Sequence, residues 1–401
     1  MKLSSRAQKT AASPLRSLVG PKDKSVHIHK LNIGQPDLAA PKEFFDGLKS
    51  FSDTLVAYDE AVGNKRLISA WVSLLKRQYG IELSTQDLLI TCGSSEALTF
   101  VFSICCDAND EVVVFNPSYA NYSGFAAVAG VTLVPVTTSF ETGFHIPTSK
   151  DDILSHVTEK TRAILLCNPN NPTGTLFTHE ELKTILDICE ERDLFLIVDE
   201  VYREFVYDNQ KPSTTLSLFP KNERLIVLDS LSKRYSLCGT RIGCLITYNK
   251  DVMKAAKNFA STRVSAPSIE QQAAAHMLET LSDEYLDDAI KEYESRRDLL
   301  VSELNKVEGV ELNNPQGGFY VLAKLPVDDA ADFAQFMLRD FSVNDETVFV
   351  SPAAGFFINS QPVTNYVRVA FVLSRDDIKR AVVILDRALT TYTIMKAAKR
   401  S

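Results

Sequence analysis

No stretch of this 401-residue chain approaches the roughly 20 uninterrupted apolar residues that a bilayer-spanning helix requires, which argues against a helical membrane protein. Lys and Arg are scattered, never gathered into a patch. With a net charge of -8 and a pI near 5.4, the surface repels phosphodiester backbones and acidic lipid. Neither nucleic acid nor membrane is expected as a partner. The segment Met1 to Val19 is polar and lacks a signal-peptide core, so a cytoplasmic location is expected. Seven cysteines, Cys92, Cys105, Cys106, Cys167, Cys189, Cys238 and Cys244, lie mostly inside apolar runs and read as buried free thiols, not disulfides. The six histidines show no spacing with cysteine or carboxylate that would hold a metal, and none is expected. His27 and His29 alternate along a strand-like segment and read as a surface pair. There is no internal repeat and no low-complexity tract.

What the chain does contain is the composition of a globular protein, 45% hydrophobic and 23% charged. Its length exceeds what one compact core encloses, so two domains sharing a cleft are expected, and the cleft is where chemistry belongs. From Leu88 onward short apolar runs alternate with longer segments of helical period, the pattern of an α/β fold with a mainly parallel sheet. Seven strands are expected: Leu88 to Thr91, Glu111 to Phe115, Thr132 to Val136, Arg162 to Cys167, Phe195 to Val198, Arg224 to Leu228 and Gly243 to Thr247. Helices are expected at Glu96 to Cys105, Tyr122 to Ala129, His179 to Glu191, Lys250 to Ala260 and Ile269 to Thr280. A long charged helix from Glu284 to Val307 follows. Beyond it, strands at Val310 to Leu312, Gly318 to Ala323 and Tyr366 to Val372 flank helices at Asp329 to Asp340 and Arg375 to Tyr392, giving a smaller α+β unit. The division expected is a large domain over 48–292 and a small domain made of 1–47 together with 293–401.

Four segments carry chemistry. Asp229 to Gly243 (DSLSKRYSLCGTRIG) follows a buried strand and brings Ser230, Ser232, Lys233 and Arg241 into one connection. Two hydroxyls, an ammonium and a guanidinium suit a phosphate dianion. Thr91 to Leu98 (TCGSSEAL) is a strand ending in a turn at Gly93 that opens into a helix, where free N–H groups and the Ser94 and Ser95 hydroxyls form an anion site; a serine there also serves as a plain N-cap. Asn168 to Gly174 (NPNNPTG) rigidifies a turn at a strand's carboxyl end, the edge where open α/β sheets bind ligands. A cis bond before Pro172 would turn the Asn171 amide inward. Val198 to Phe205 (VDEVYREF) ends a Leu/Ile run with Asp199. A buried carboxylate is costly without a cationic partner, and a protonated pyridine nitrogen is one; Tyr202 could reach a phenolic oxygen on the same ring. Helix N-capping is the competing role for Asp199.

In this order and spacing the four segments resemble the class I/II aminotransferases, pyridoxal-phosphate (PLP) enzymes of fold type I. The resemblance extends to Ile33-Gly34-Gln35-Pro36, to Tyr58 with Gly63, to Asn116-Pro117-Ser118-Tyr119, to Gly317-Gly318-Phe319 and to Asn365-Tyr366-Val367-Arg368. It implies that Lys233 carries the cofactor as a Schiff base and shuttles the proton between substrate and cofactor. Asp199 would pair with the pyridine nitrogen, Asn171 and Tyr202 would bond the phenolic oxygen, and Tyr119 would stack on the ring. Gly93, Ser94, Ser95, Ser230, Ser232 and Arg241 would hold the phosphate, joined by Tyr58 from a second subunit, so a homodimer is implied. Arg368, the backbone at Gly34 and the Asn171 amide would bind the substrate α-carboxylate.

Residues 229–239, 199–205 and 117–122 look most like a bacterial branch described as aspartate aminotransferases. The expected reaction moves an amino group from an L-amino acid, aspartate as the best guess, to 2-oxoglutarate by a ping-pong route. The family's usual second arginine, for a distal carboxylate, does not map onto this chain; Arg263 is the weak candidate. Two other enzyme readings stay open, a PLP-dependent C–S β-lyase and an aminotransferase of aromatic or other amino acids. A ligand-sensing regulator would need a DNA-binding module, and the polar residues before Leu31 are too few for one.

Overall fold

The computed structural model describes residues 1–9, 18–21, 24–358 and 363–400. The first strand, β1 (His27–Lys30), lies outside the main sheet. That sheet contains β2 (Leu88–Cys92), β3 (Glu111–Asn116), β4 (Thr132–Thr137), β5 (Thr161–Cys167), β6 (Phe195–Asp199), β7 (Leu225–Ser230) and β8 (Ile242–Thr247). Its order is β2-β8-β7-β6-β5-β3-β4, and β8 alone runs antiparallel to its neighbours. The fold is therefore α/β with a mainly parallel seven-stranded sheet, as the alternation of apolar runs predicts.

The strands are apolar on both sides because both faces are covered. Along β6, Leu196 and Val198 face a core shared with the helices Lys65–Tyr79, His179–Arg192 and Ser268–Thr280, while Ile197 faces one shared with Gly93–Cys105 and Lys250–Arg263. All three side chains are fully buried. The carboxyl ends of β2, β3, β5, β6 and β7 emerge along one edge of the sheet.

A second sheet stands opposite that edge. It consists of β9 (Glu311–Leu312), β10 (Tyr320–Lys324), β12 (Ser351–Pro352) and β13 (Tyr366–Ala370), ordered β12-β13-β10-β9, while β11 (Glu346–Phe349) pairs in parallel with β1. Its core includes Tyr293 and Leu300 of the helix Glu284–Leu304, Phe333 of Ala330–Asp340 and Ile378 of Arg375–Arg400; it continues into Val201, Tyr202 and Phe205 just after β6.

Several expectations are corrected. The helix Gly93–Cys105 starts three residues before Glu96, so Gly93, Ser94 and Ser95 form its first turn. The helices Lys42–Lys49 and Lys65–Tyr79 and strand β11 were not anticipated. His29 is no surface residue: it is buried, its Nε2 lies 3.1 Å from Glu346 Oε2, and Nδ1 lies 3.7 Å from Asp377 Oδ1. His27 lies on the same side of β1, its ring edge-on to that of His29 with centroids 4.7 Å apart, but it stays exposed at the strand's start. All seven thiols are free, but Cys92, Cys106 and Cys238 are only half-buried, because each sits at an element's end. Among the described residues no helix is long and apolar enough to cross a membrane.

Because Leu196 sits in the central strand with no exposed surface, Leu196→Ala is expected to lower the unfolding free energy by about 2–5 kcal/mol. Val128→Ala, at a half-exposed helical position, should change it by less than about 0.5 kcal/mol. Urea denaturation of the two variants checks the difference.

Candidate active site

A cleft of about 610 Å³ opens between the carboxyl edge of the large sheet and the second sheet. Its lining includes Gly34, Ser94, Ser95, Tyr119, Asn171, Asp199, Tyr202, Ser230, Ser232, Lys233, Arg241 and Arg368, all singled out from the sequence. Gly93 lies just behind it. Tyr58 does not reach it: that side chain is 83% exposed and borders a smaller hollow with Leu55 and Val56.

Lys233 stands on a single helical turn, Leu231–Arg234, which begins where β7 ends. The Ser230 hydroxyl caps that turn by accepting from the Ser232 N–H at 3.1 Å, and it lies 3.0 Å from the Ile242 carbonyl oxygen. Ser230 is thus spent largely on local structure, whereas Ser232 presents its hydroxyl beside it, at 2.8 Å. The Lys233 ammonium donates to the Gly34 carbonyl at 2.9 Å, and its nitrogen lies 4.0 Å from Cys238 Sγ. Gly34 has to be glycine: a Cβ there would sit 1.7 Å from the Tyr320 hydroxyl.

On one side of Lys233 lies a carboxylate without a cation. Asp199, the last residue of β6, is buried; it accepts from the Tyr122 hydroxyl at 3.0 Å and from the Val201 N–H at 3.3 Å, and no ion pair forms with it among the described residues. Burial pushes its pKa up to about 6 against the pull of those two hydrogen bonds, and the charge of Asp229 adds to the rise. The Tyr202 hydroxyl meets that of Tyr320 at 3.0 Å, and burial raises its pKa. Burial also pushes the Tyr119 phenol up to about 12; its oxygen accepts from the Asn121 amide at 2.7 Å.

At the opposite wall lies a cation without an anion. Arg368, on β13, is 6% exposed and sits between the rings of Tyr320 and Phe356, 4.2 and 4.8 Å from their centroids. It donates to Asn171 Oδ1 at 3.0 Å and to the Asn32 carbonyl at 2.7 Å, while Nε has no partner. No carboxylate among the described residues pairs with it. A desolvated guanidinium in this state favours any carboxylate that enters. The peptide bond between Asn171 and Pro172 is cis.

The third feature is a positive corner. The helix Gly93–Cys105 has no side-chain N-cap, so its first N–H groups face the cleft with Ser94 and Ser95. Arg241 reaches over Gly93, whose φ is 71° and whose Cβ, if it had one, would lie 2.7 Å from the Arg241 NH2 nitrogen. These features suit PLP: a carboxylate that calls for a cation, a corner that calls for a phosphate and a lysine between them. Arg263 is committed elsewhere, to Glu96 at 3.1 Å and to the Ile90 carbonyl at 3.1 Å. That leaves Lys233, Arg241 and Arg368 as the lining cations.

Sequence reasoning missed Tyr122, Asn32, Tyr320 and Phe356. Tyr122 follows Tyr119 by three residues at a helix start, a signal that could have paired it with Asp199. The others converge only through the second sheet, whose contacts have no local signature.

A sequence model of the family described as "Aminotransferase class I and II" matches residues 26–385. An aspartate aminotransferase of Sulfolobus acidocaldarius is 29% identical, over 90% of this chain and 90% of its own length. Aromatic-amino-acid aminotransferase 2 of Thermococcus litoralis is 29% identical, over 97% and 98%. The solved structure of an alanine aminotransferase from Pyrococcus furiosus superposes with a TM-score of 0.87 at 27% identity, covering 97% of this chain and 100% of that one.

The uncompensated charge of Asp199 predicts a stability signature in the cofactor-free protein. Its folded pKa lies above the ordinary 3.8, so its contribution is most favourable below that value and is lost as pH rises toward about 6. Asp199→Asn is therefore expected to raise the melting temperature of cofactor-free protein at pH 7.5, by the equivalent of at most about 3 kcal/mol. The gap should close by pH 4. Thermal unfolding across that range measures it, and a variant less stable than its parent at pH 7.5 would contradict the assignment.

Proposed function

We propose an amino donor and a set of residue roles for this chain, which belongs to the aminotransferase class I and II family: it is a PLP-dependent transaminase of fold type I, acting on amino acids and 2-oxo acids. In the proposal it transfers the amino group of aspartate to 2-oxoglutarate. The observation that carries the residue roles is the pair of opposite buried charges, Asp199 and Arg368, neither with an ion-pair partner among the described residues, with Lys233 in the same cleft.

Arg368 and the Asn171 amide hold the substrate α-carboxylate, with the Gly34 backbone at its side. This fixes the α-carbon relative to Lys233. PLP supplies an electron sink conjugated to the substrate nitrogen, which weakens the bond from the α-carbon to hydrogen. Lys233 Nζ would take and return that proton, and Gly34, which accepts from Nζ, would steady the amine between transfers. Asp199 holds the pyridine nitrogen protonated; Tyr122 keeps the carboxylate oriented. Asn171 and Tyr202 bond the phenolic oxygen and Tyr119 covers the ring face. Ser94, Ser95, Ser232 and Arg241 carry the phosphate, with Gly93 giving Arg241 room and Ser230 shaping the turn.

A homodimer completes the site in this reading, with Tyr58 serving the partner's phosphate. Its support is the exposure of Leu55, Val56 and Tyr58 together. The separate cores of the two sheets support the domain division 48–292 against 1–47 with 293–401. Seven unpaired thiols suit the cytoplasm.

Aspartate as donor is supported by the Sulfolobus relative. A second reading, an aromatic or other uncharged side chain, is favoured by Ile33, Phe349 and Phe356 in the lining and by the absence there of a further arginine. Rates with aspartate, phenylalanine, alanine and kynurenine against 2-oxoglutarate decide between them: kcat/KM at least about tenfold higher for aspartate, roughly 1.4 kcal/mol, upholds the first.

Two substitutions test the roles. Lys233→Ala should abolish turnover and the cofactor's visible absorbance change on adding amino donor. Arg368→Lys should raise KM about 10- to 100-fold for every α-amino acid while the cofactor stays bound, as expected for loss of a charge-assisted fork. Steady-state kinetics with absorbance spectra measure both.

A further inference from the structure

Beneath the cleft floor five charged side chains form a buried cluster. Arg203 donates to Glu200 Oε2 at 2.9 Å, to Glu204 Oε1 at 3.0 Å and to Asp229 Oδ2 at 2.9 Å; Arg234 pairs with Asp229 Oδ1 and lies 3.2 Å from Glu204 Oε1. None of the five side chains is more than 3% exposed. The cluster is stitched to the core by Trp71, which donates to Asp229 at 3.3 Å, by Tyr79, which donates to Glu204 at 3.1 Å, and by Thr215, whose hydroxyl donates to Glu200 at 2.6 Å.

Three facts set this cluster apart from an ordinary ion pair. Its members are chain neighbours of the site: Glu200 follows Asp199, Arg234 follows Lys233, and Asp229 precedes Ser230. Its formal charge is negative, three carboxylates against two guanidiniums, and Arg203 and Arg234 hold Asp229 below the usual carboxylate range in spite of its burial. The ionisable groups packed on it, Tyr79, Tyr235 and Cys244, have their pKa values raised by burial and stay neutral. Buried ion pairs can often be replaced as a whole by well-packed apolar side chains without loss of stability. Stability alone therefore does not account for them.

We propose that this ion network is a positioning device for Lys233, locking the turn that carries it against the strand end that carries Asp199 and setting a net negative charge beside that turn. The inference rests on the assignment of Lys233 as the cofactor-bearing lysine. None of the network residues lines the cleft; the Gly34 carbonyl, Asp199, Cys238 and the Tyr202 ring are the groups that face the lysine itself.

The test is a pH titration of the visible absorbance of the holoenzyme. Arg234→Met makes the network one charge more negative and should move the titration midpoint up by about one pH unit, the order of shift that one added charge causes in a protein interior. It should lower kcat about tenfold and leave KM for the amino donor within about twofold. Glu204→Gln makes the network less negative and should move the midpoint down by a similar amount. That variant is the gentler one, because Glu204 Oε2 has no hydrogen-bond partner to lose, and it carries the test alone if Arg234→Met does not fold. Arg234→Lys should restore the parent midpoint. A midpoint that moves the same way in both charge variants, or by less than about 0.2 unit in Glu204→Gln, overturns the proposal. Absence of any Lys233-dependent absorbance in the parent enzyme would instead overturn the assignment of Lys233.

Discussion

Two buried charges of opposite sign, each without a counter-ion among the described residues, set the terms for this molecule. Asp199 ends the central strand of one sheet and Arg368 lies on a strand of the other, so neither can approach the other to neutralise it. Desolvating either is costly. In the proposed reading the cationic ring nitrogen of the cofactor compensates the one and the substrate carboxylate the other. The large core beneath, built on a sheet buried on both faces, supplies the stability that this arrangement spends.

The architecture around the two charges follows from that need. Parallel strands place their carboxyl ends together, which brings Asp199, the Lys233 turn and the Asn171 loop to one edge without long loops. Gly34 and Gly93 mark the points of closest approach, under the Tyr320 hydroxyl and under the Arg241 guanidinium. The ion network below the floor joins both sides of the same edge. That network and the rings around Arg368 flank the cleft that Lys233 lines.

Much of this was legible in the sequence, and the reason is local. Each strand end that carries chemistry is a short apolar run followed at once by its polar residues, so Asp199, Lys233, Ser94 and Asn171 stood out as candidates, and the ordered set of segments gave them roles through the family resemblance. Arg368 needed the family resemblance, because an arginine on a strand has no distinctive setting until its neighbours Tyr320 and Phe356 are known. The burial of His29 was misread since its partner strand lies more than 300 residues away. Tyr122 was passed over because its hydrogen bond to Asp199 spans two elements. Non-local contacts decide such residues, and no window of sequence contains them.

The central claim is that Lys233 binds the cofactor covalently between these two charges. Borohydride reduction of the protein purified with PLP, followed by proteolysis and mass spectrometry, tests it directly. One pyridoxyl group per chain, on the peptide containing Lys233 and no other lysine, is the result predicted. A label on a different lysine, or a fully occupied protein with unmodified Lys233, would contradict it.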